Sequence, residues 1–251
     1  MNVEESDVRL AERLATQAGA ILLGLRGSSG LDGKALGKAG DEAANIFLMR
    51  ALREARPDDA LLSEEERDDR DRLSAARAWI IDPLDGTREY GEGRTDWAVH
   101  VALAINGVAT VGAVALPGLG LTLTSGAPQP LAPAGNPPRM LVSRTRPAKE
   151  AVAVAQAIGG ELVAMGSAGA KAMAVVRGEA EIYLHTGGQY EWDNCAPAAV
   201  AMAAGLHVSR ADGSALRYNN ADTYLPDLLI CRRELAEQVL ALVRTLPASQ
   251  G

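Results

Sequence analysis

The spacing of apolar residues changes along the 251-residue chain and predicts two parts of different architecture. Near the start, apolar residues recur every three or four positions, which predicts two amphipathic helices. Short apolar runs and an alternating stretch around Asn106-Gly107 then predict strands, because Asn-Gly between alternating segments favours a β-hairpin. The elements predicted for this part are helices over 3–25, 41–55 and 68–76, strands over 60–62, 79–81 and 119–124, and the hairpin 97–116.

Five prolines between residues 126 and 138 interrupt these patterns and predict a long surface loop or a subdomain boundary. Beyond them, strand and helix patterns alternate, which is typical of an α/β arrangement. This part is predicted to contain strands over 139–143, 161–165, 180–185 and 228–231, and helices over 148–158, 168–177, 193–204 and 233–243. We therefore predict an α/β protein with an α+β subdomain at 1–138 and an α/β subdomain at 139–251.

The composition narrows the class of function. Apolar residues make up 47% of the chain, enough for a folded core, and the net charge of −7 argues against a polymeric nucleic acid as partner. Cys195 and Cys231 form neither a CxxC pair nor a disulfide framework. The polar, acidic start is unlike a secretory signal, and no apolar run approaches the ~20 residues that span a bilayer. We expect a cytoplasmic protein that does not enter the membrane.

The stretch WIIDPLDGTREY at 79–90 carries the first candidate chemistry. Asp82 ends an apolar run, and Pro83 forces the residue before it into an extended conformation. Asp85-Gly86 predicts a tight turn, after which Thr87 is expected to N-cap a short helix. Carboxylates attract hard cations and helix N-termini attract phosphate, so their adjacency favours metal-assisted phosphate chemistry. The alternative is an ordinary strand-to-helix turn in which aspartate only shapes the backbone.

A metal-dependent phosphatase needs further carboxylates from other segments, and the chain offers them at Glu64, Glu65, Asp193 and Asp41. Each also has a simpler interpretation. Glu64 and Glu65 begin a charged run that solvent alone explains, and Asp193 and Asp41 suit helix N-caps. Oxygen ligands without a His/Cys cluster favour Mg²⁺ over Zn²⁺. Ligation becomes the better interpretation only if these residues act together.

The chain resembles the inositol monophosphatase family of lithium-sensitive Mg²⁺ phosphatases. The resemblance rests on three blocks in this order: LLSEEE at 61–66, WIIDPLDGTREY at 79–90 and EWDNCAPAAVAMAAG at 191–205. Within the family, DPLDGTREY, VSRTRP and GSAGAK resemble the 3′(2′),5′-bisphosphate nucleotidases of the CysQ type, in their actinobacterial branch. The resemblance implies a layered α-β-α-β-α sandwich with the active site between its halves.

The activity that the resemblance implies is Mg²⁺-dependent removal of the 3′-phosphate from adenosine 3′,5′-bisphosphate, a by-product of sulfate assimilation. Two alternatives stay open. The same site is compatible with inositol monophosphate or fructose 1,6-bisphosphate, and a nucleotide-binding module without turnover belongs to another class. The residues REY after DPLDGT favour the nucleotidase.

The resemblance also implies the metal ligands, for two or three Mg²⁺ ions per site. Glu64, Asp82 and the carbonyl oxygen of Leu84 would hold the first ion. Asp82, Asp85 and Asp193 would hold the second. Asp82 is therefore expected to bridge the two ions.

The implied catalytic residues are Asp41, Thr87 and Glu65. Thr87 paired with Asp41 would orient or deprotonate the attacking water, with Glu65 near a third metal. Gly86 and Thr87 would bind the scissile phosphate. The family usually carries a Val-Thr pair before this aspartate, whereas the matching stretch here is GKAGDEAAN.

Further substrate contacts are expected from the second part of the chain. The resemblance places Arg144, Ser167, Lys171 and His185 near the sugar and the second phosphate, together with Asp193. Simpler interpretations are a surface loop for Arg144, a solvated helix face for Lys171 and a structural role for His185. His185 stands where bisphosphate nucleotidases often carry arginine.

The expected partner is a small phosphorylated molecule, and two aromatic residues bear on its identity. Tyr190 and Trp192 flank a nucleobase in one interpretation and pack in the core in the other, which is the safer expectation for Trp192. The resemblance also implies inhibition by Li⁺ and is compatible with a homodimer.

Overall fold

The computed structural model describes residues 5–68 and 70–246. Two short 3₁₀ turns cover Asp71–Ser74 and Pro117–Leu119. The helices are α1 Asp7–Ser28, α2 Gly33–Ala55, α3 Thr87–Gly91, α4 Lys149–Ala157, α5 Ala168–Val176, α6 Glu191–Ala203 and α7 Arg233–Thr245. The strands are β1 Ala60–Ser63, β2 Arg77–Asp85, β3 Ala98–Ile105, β4 Val108–Leu116, β5 Leu121–Thr124, β6 Arg139–Ser143, β7 Glu161–Met165, β8 Ile182–His185, β9 Gln189–Tyr190, β10 His207–Ser209, β11 Tyr224–Leu225 and β12 Leu228–Cys231.

The first sheet has the strand order β1-β2-β3-β4-β5. Its first pair is parallel and the other pairs are antiparallel. The predicted hairpin joins β3 and β4 through Asn106 and Gly107, which both have positive φ, as a tight hairpin turn requires. This sheet uses residues 60–124 only.

The second sheet has the order β10-β12-β8-β6-β7. β6 pairs in parallel with both β7 and β8, and β12 runs antiparallel to its two neighbours. β9 and β11 form a separate two-stranded ribbon. The second sheet lies wholly beyond residue 138, while the division of the chain into two subdomains there stays a prediction.

Alternating side chains of both sheets build three hydrophobic layers. On β2, Trp79 and Ile81 pack under α1 and α2, whereas Ile80 faces α5 and α6 between the sheets. The outer face of the second sheet packs against α4 and α7. The order of layers is therefore helix, sheet, helix, sheet, helix, which confirms the predicted fold class. No helix among the described residues is long and apolar enough to cross a bilayer.

The largest difference from the predicted elements concerns α2, which begins at Gly33 and not near Asp41. Asp41 therefore lies inside a helix and cannot be its N-cap. The first part of α2 was not predicted because it contains Gly33, Gly37 and Gly40, and Gly is a poor helix former. Glycine is needed at positions 37 and 40 because α3 approaches α2 closely there. A Cβ at Gly37 would lie 2.6 Å from Thr87 Cγ2, and one at Gly40 would lie 2.9 Å from a ring carbon of Tyr90.

Smaller differences follow from local hydrogen bonding. The predicted helix over 68–76 is only a 3₁₀ turn, and residue 69 lies outside the described residues, as do residues 3 and 4 of the first predicted helix. α6 begins at Glu191, so Asp193 stands in its first turn and not at its N-cap. The short strands β9, β10 and β11 were not predicted.

Candidate active site

The DPLDGT turn is shaped by a β-bulge. Asp82 pairs with His100 on β3, and Asp85 pairs with Ala98, so three residue steps on β2 match two on its neighbour. In a regular strand, residues three apart point to opposite faces. The extra residue of a bulge changes the direction in which the following side chains point. The two aspartates therefore turn toward one cleft.

The end of the turn differs from the predicted capping. Gly86 adopts φ +86°, as the tight turn requires, and itself occupies the N-cap of α3. Thr87 is the first residue of the helix and not its cap. Its hydroxyl donates to the carbonyl oxygen of Leu84 at 3.1 Å. The predicted capping role of Thr87 is wrong because glycine takes the left-handed conformation before it.

Three carboxylates from two elements converge at this turn. Each of Asp82, Asp85 and Asp193 offers an oxygen, and these oxygens lie within 4.8 Å of one another. Asp193 comes from the first turn of α6, where its Oδ2 accepts a hydrogen bond of 2.6 Å from the Tyr190 backbone N–H. Asp82 Oδ1 accepts from the Leu84 N–H at 3.0 Å. The fold thus brings together candidate ligands that are more than one hundred residues apart in sequence.

Asp85 is the best-stabilised anion of the three. Its carboxylate accepts from Ser167 Oγ at 2.5 Å and from the N–H groups of Ala168 and Gly169 at 3.1 and 2.6 Å. Burial raises the pKa of Asp85, but contact with His100 and these hydrogen bonds outweigh it and lower the pKa to about 2. The start of α5 therefore holds this carboxylate ionised.

The other carboxyl groups of the cleft repel one another. Burial, followed by the charge of Glu64, raises the pKa of Asp82 well above its usual range. Burial and the charge of Asp85 raise the pKa of Asp193 to about 6. Glu64 is an exposed residue, but desolvation of its carboxyl group at the rim of the cleft and the charge of Asp193 raise its pKa to about 8. Because a cation would relieve this repulsion, the donor set fits a hard divalent metal ion.

A cavity of about 590 Å³ reaches the DPLDGT turn at Thr87. Burial and the charge of Glu65 raise the pKa of Asp41 to about 7, while a hydrogen bond from Thr87 acts in the opposite direction. The Thr87 hydroxyl has one proton and two acceptors, Leu84 O and Asp41, so donation to Asp41 leaves the Leu84 oxygen free as a ligand. The lining residues are Gly33, Lys34, Lys38, Asp41, Glu65, Thr87, Arg88 and Glu92.

His100 was not predicted from the sequence, and it lies fully buried beside Asp82 and Asp85. Its Nδ1 lies 3.0 Å from Trp192 O and donates to it, because a carbonyl oxygen can only accept. Its Nε2 lies 3.3 Å from Asp85 Oδ2 and makes no well-aligned hydrogen bond among the described residues. The pairing of β3 with β2 was the available signal, since it places His100 opposite Asp82.

The residues expected to bind substrate make hydrogen bonds to other residues of the protein. Arg144 donates to Glu89 at 2.9 Å and to Glu92 at 2.7 Å. Lys171 is buried, and its Nζ donates to the carbonyl oxygen of Ser167 at 2.5 Å, so a solvated helix face is the wrong interpretation. Burial lowers the pKa of Lys171. His185 Nε2 lies 2.9 Å from Gly188 O. Contacts of these residues with a substrate stay predictions.

Comparisons with known proteins agree with the predicted family. A family model described as the inositol monophosphatase family matches residues 4–248. The 3′-phosphoadenosine 5′-phosphate phosphatase of Mycobacterium leprae is 52% identical to the chain, over 96% of this chain and 94% of that protein.

Solved structures share the fold. CysQ from Bacteroides thetaiotaomicron, described as a bacterial member of the inositol monophosphatase family, superimposes with a TM-score of 0.78 at 24% identity, over 90% of this chain and 97% of that one. Staphylococcal SaIMPase-II with bound 2′AMP gives a TM-score of 0.76 at 19% identity, over 93% of this chain and 96% of that one. The predicted fold and the predicted relation to phosphatases of the CysQ type are confirmed. The chain belongs to the inositol monophosphatase family.

Proposed function

We propose that the protein is a Mg²⁺-dependent phosphatase that removes the 3′-phosphate from adenosine 3′,5′-bisphosphate and releases AMP and phosphate. The observation that carries the proposal is the convergence of Asp82, Asp85 and Asp193 beside the cavity that contains Asp41 and Thr87. The Mycobacterium leprae relative, named for this type of substrate, supports the nucleotide over a sugar phosphate. The proposed setting is the cytoplasm, where the enzyme would clear a by-product of sulfate assimilation.

Five groups are proposed to hold the metal ions. Glu64, Asp82 and Leu84 O form one set of ligands, and Asp82, Asp85 and Asp193 form the other. When bound, the ions would offset the charge on the phosphoryl oxygens and lower the pKa of a bound water. Asp85, already held ionised by α5, binds without first losing a proton. Asp82 belongs to both sets of ligands, so its negative charge is expected to contribute most to metal binding.

The attacking water is proposed to lie between the phosphate and the cavity lined by Asp41 and Thr87. Thr87, whose hydroxyl donates to Leu84 O in the structure, is proposed to turn its proton to Asp41 in the working site, so that its oxygen can accept a hydrogen bond from the water and orient it. Glu65, on the same cavity wall, is proposed to assist in deprotonation. Gly86 and Thr87 are proposed to bind the phosphate itself. In an in-line displacement the leaving oxygen departs on the opposite side of phosphorus, which we assign to Asp193.

The first test compares rates of phosphate release from adenosine 3′,5′-bisphosphate, inositol 1-phosphate and fructose 1,6-bisphosphate while Mg²⁺ is titrated. We expect the nucleotide to exceed the other two in kcat/KM by tenfold or more, and millimolar Li⁺ to inhibit. Equal or faster turnover of inositol 1-phosphate would contradict the assigned substrate but not the metal site. Binding of the nucleotide in a calorimetric titration without any turnover would favour a binding module.

The variant Asp82→Asn tests the metal assignment and shows that the measured activity belongs to this protein. It removes the charge of a residue that would serve as ligand to both proposed ions while it keeps the shape of the side chain, so we expect kcat to fall by several orders of magnitude. Residual activity within about tenfold of the wild type would contradict the assignment. Circular dichroism of the variant controls for folding.

A further inference from the structure

Three aromatic rings form a continuous patch next to Asp193. Tyr190 stacks on Trp192 with ring centroids 4.9 Å apart and an interplanar angle of 10°, and Tyr224 meets Tyr190 edge-on at 6.0 Å. Tyr190 and Tyr224 are 46% and 47% exposed. The other tyrosines of the chain are buried, as are Trp79 and Trp97. Exposed aromatic area is therefore concentrated at this one patch.

The backbone fixes these rings in place. β9 and β11 pair Tyr190 directly with Tyr224, and the Glu191 N–H donates to the Thr223 carbonyl oxygen at 2.9 Å. Gly188 has φ +81°, and a Cβ there would lie 2.3 Å from the Tyr224 hydroxyl oxygen. Glycine at 188 thus leaves room for the Tyr224 ring. The patch is a built surface and not a chance exposure of loose side chains.

The patch shares its backbone with the candidate metal site. The Tyr190 N–H donates to Asp193 Oδ2 at 2.6 Å, and Trp192 O accepts from His100, whose ring faces Asp85. If the water attacks from the side of Asp41 and Thr87, as proposed above, the leaving group departs toward Asp193. The molecule attached to the leaving oxygen then lies against the segment that carries these rings.

We propose that Tyr190 and Tyr224, with Trp192 behind Tyr190, form a stacking surface for the purine base of the leaving nucleotide. The inference rests on the proposed function and specifies what recognises its base. Flat aromatic faces bind nucleobases by stacking, without the need for specific hydrogen bonds. Inositol and fructose phosphates have no planar ring to stack. The surface therefore raises affinity for nucleotides selectively, at a distance from the reacting phosphate.

The experiment compares Tyr190→Leu with Tyr190→Phe on a substrate with a base, adenosine 3′,5′-bisphosphate, and on one without, inositol 1-phosphate. Loss of one stacking ring is expected to raise KM for the nucleotide about tenfold, with kcat within about twofold of the wild type. Tyr190→Phe keeps the ring and should keep KM. Neither variant should change kcat/KM for inositol 1-phosphate. Tyr224→Leu should behave like Tyr190→Leu.

Leu121→Ala supplies the matched control, because Leu121 is 46% exposed on β5 and remote from the patch in the fold. It should leave both substrates unaffected. An equal loss on both substrates in Tyr190→Leu would mean that the side chain only supports Asp193, and no loss on the nucleotide would mean that the base does not stack there. Either result overturns the stacking surface. A wild-type enzyme without preference for the nucleotide would instead contradict the proposed function, and the stacking surface with it.

Discussion

Asp82 and Asp85 show how strongly neighbours decide the chemistry of one residue type. They lie in the same turn and are both buried. Asp85 faces the N–H groups at the start of α5 and the ring of His100, and its pKa falls to about 2. Among the described residues, only the Leu84 N–H donates a hydrogen bond to Asp82, and the pKa of Asp82 rises because burial and the charge of Glu64 are not offset. Asp85 is thus an anion at neutral pH without a metal, whereas Asp82 needs a cation to become one.

Gly169→Ala tests whether the start of α5 sets up this site. A Cβ at Gly169 would lie 2.0 Å from His100 Nε2, and the same residue donates its N–H to Asp85. We expect the variant to lose about 1–3 kcal/mol of stability through overpacking. Because the ring or the helix must shift against Asp85, we expect kcat/KM to fall about tenfold or more. Urea unfolding and steady-state rates measure the two effects.

Gly24→Ala is the control for Gly169→Ala. Gly24 lies in α1, and a Cβ there meets nothing within 4 Å. Alanine in a helix is favoured over glycine by about 0.5–1 kcal/mol, so the control should be slightly more stable and fully active. If Gly169→Ala also kept full activity, the contact between α5, His100 and Asp85 would have no part in catalysis.

At the scale of elements, a buried polar network fixes the beginning of α6. Glu191 accepts from the N–H groups of Asn219 and Asn220 at 2.6 and 2.8 Å. Asn219 in turn exchanges hydrogen bonds with Arg72, as its Oδ1 accepts from Nη1 at 2.9 Å and its Nδ2 donates to the carbonyl oxygen at 2.8 Å. Arg72 belongs to the connection that follows Glu64. The network therefore joins two segments that carry candidate metal ligands.

Asn219→Gly should cut this link without straining the backbone, because Asn219 has φ +61° and glycine adopts that conformation readily. The variant keeps the N–H bonded to Glu191 but loses both side-chain bonds to Arg72. We expect the Mg²⁺ concentration for half-maximal activity to rise severalfold, which is less than the about 10–100-fold typical of contacts made directly to a metal ligand. kcat at saturating Mg²⁺ should change little.

The matched control for Asn219→Gly is Asn106→Gly, another asparagine with positive φ, placed in the hairpin between β3 and β4. It should leave the Mg²⁺ dependence unchanged. A lower melting temperature in Asn219→Gly with an unaltered Mg²⁺ dependence would assign the network to stability alone.

Elements that depend on local signals could be predicted from the sequence. Asn106-Gly107 predicted the hairpin, and the second sheet lies where strand patterns were found. The start of α2 could not be predicted, because its glycines are required by contacts with Thr87 and Tyr90 across the fold. The burial of Lys171 could not be predicted for the same reason, since burial depends on partners that local spacing does not reveal. The position of His100 could be predicted only from the pairing of β3 with β2.

Over the whole molecule, the layered fold concentrates negative charge between its two sheets. The pKa values of Glu64, Asp41 and Asp193 rise to about 8, 7 and 6 in the folded protein. Unfolded carboxyl groups titrate near 4. Between these values the folded state binds more protons than the unfolded state, so its stability falls as pH rises. Asp85 acts in the opposite sense, but only at pH values near and below 4, where its unfolded pKa lies.

The last prediction follows from this balance and concerns the protein without and with Mg²⁺. In a chelator, the urea midpoint should fall steadily from about pH 5 to about pH 8, because carboxyl groups that are protonated in the fold must ionise against one another.

Metal ligands bind deprotonated, so saturating Mg²⁺ should raise the midpoint most at the upper end of this range. At pH 7, Mg²⁺ binding should release at least one proton, because Glu64 and Asp82 are both expected to deprotonate, and calorimetry in buffers of different ionisation enthalpy measures this release. Glu64→Gln removes a carboxyl group whose pKa rises to about 8, so it should flatten the pH dependence in chelator and reduce that release. A steep fall that persists in Glu64→Gln would place the charge repulsion outside the candidate metal site.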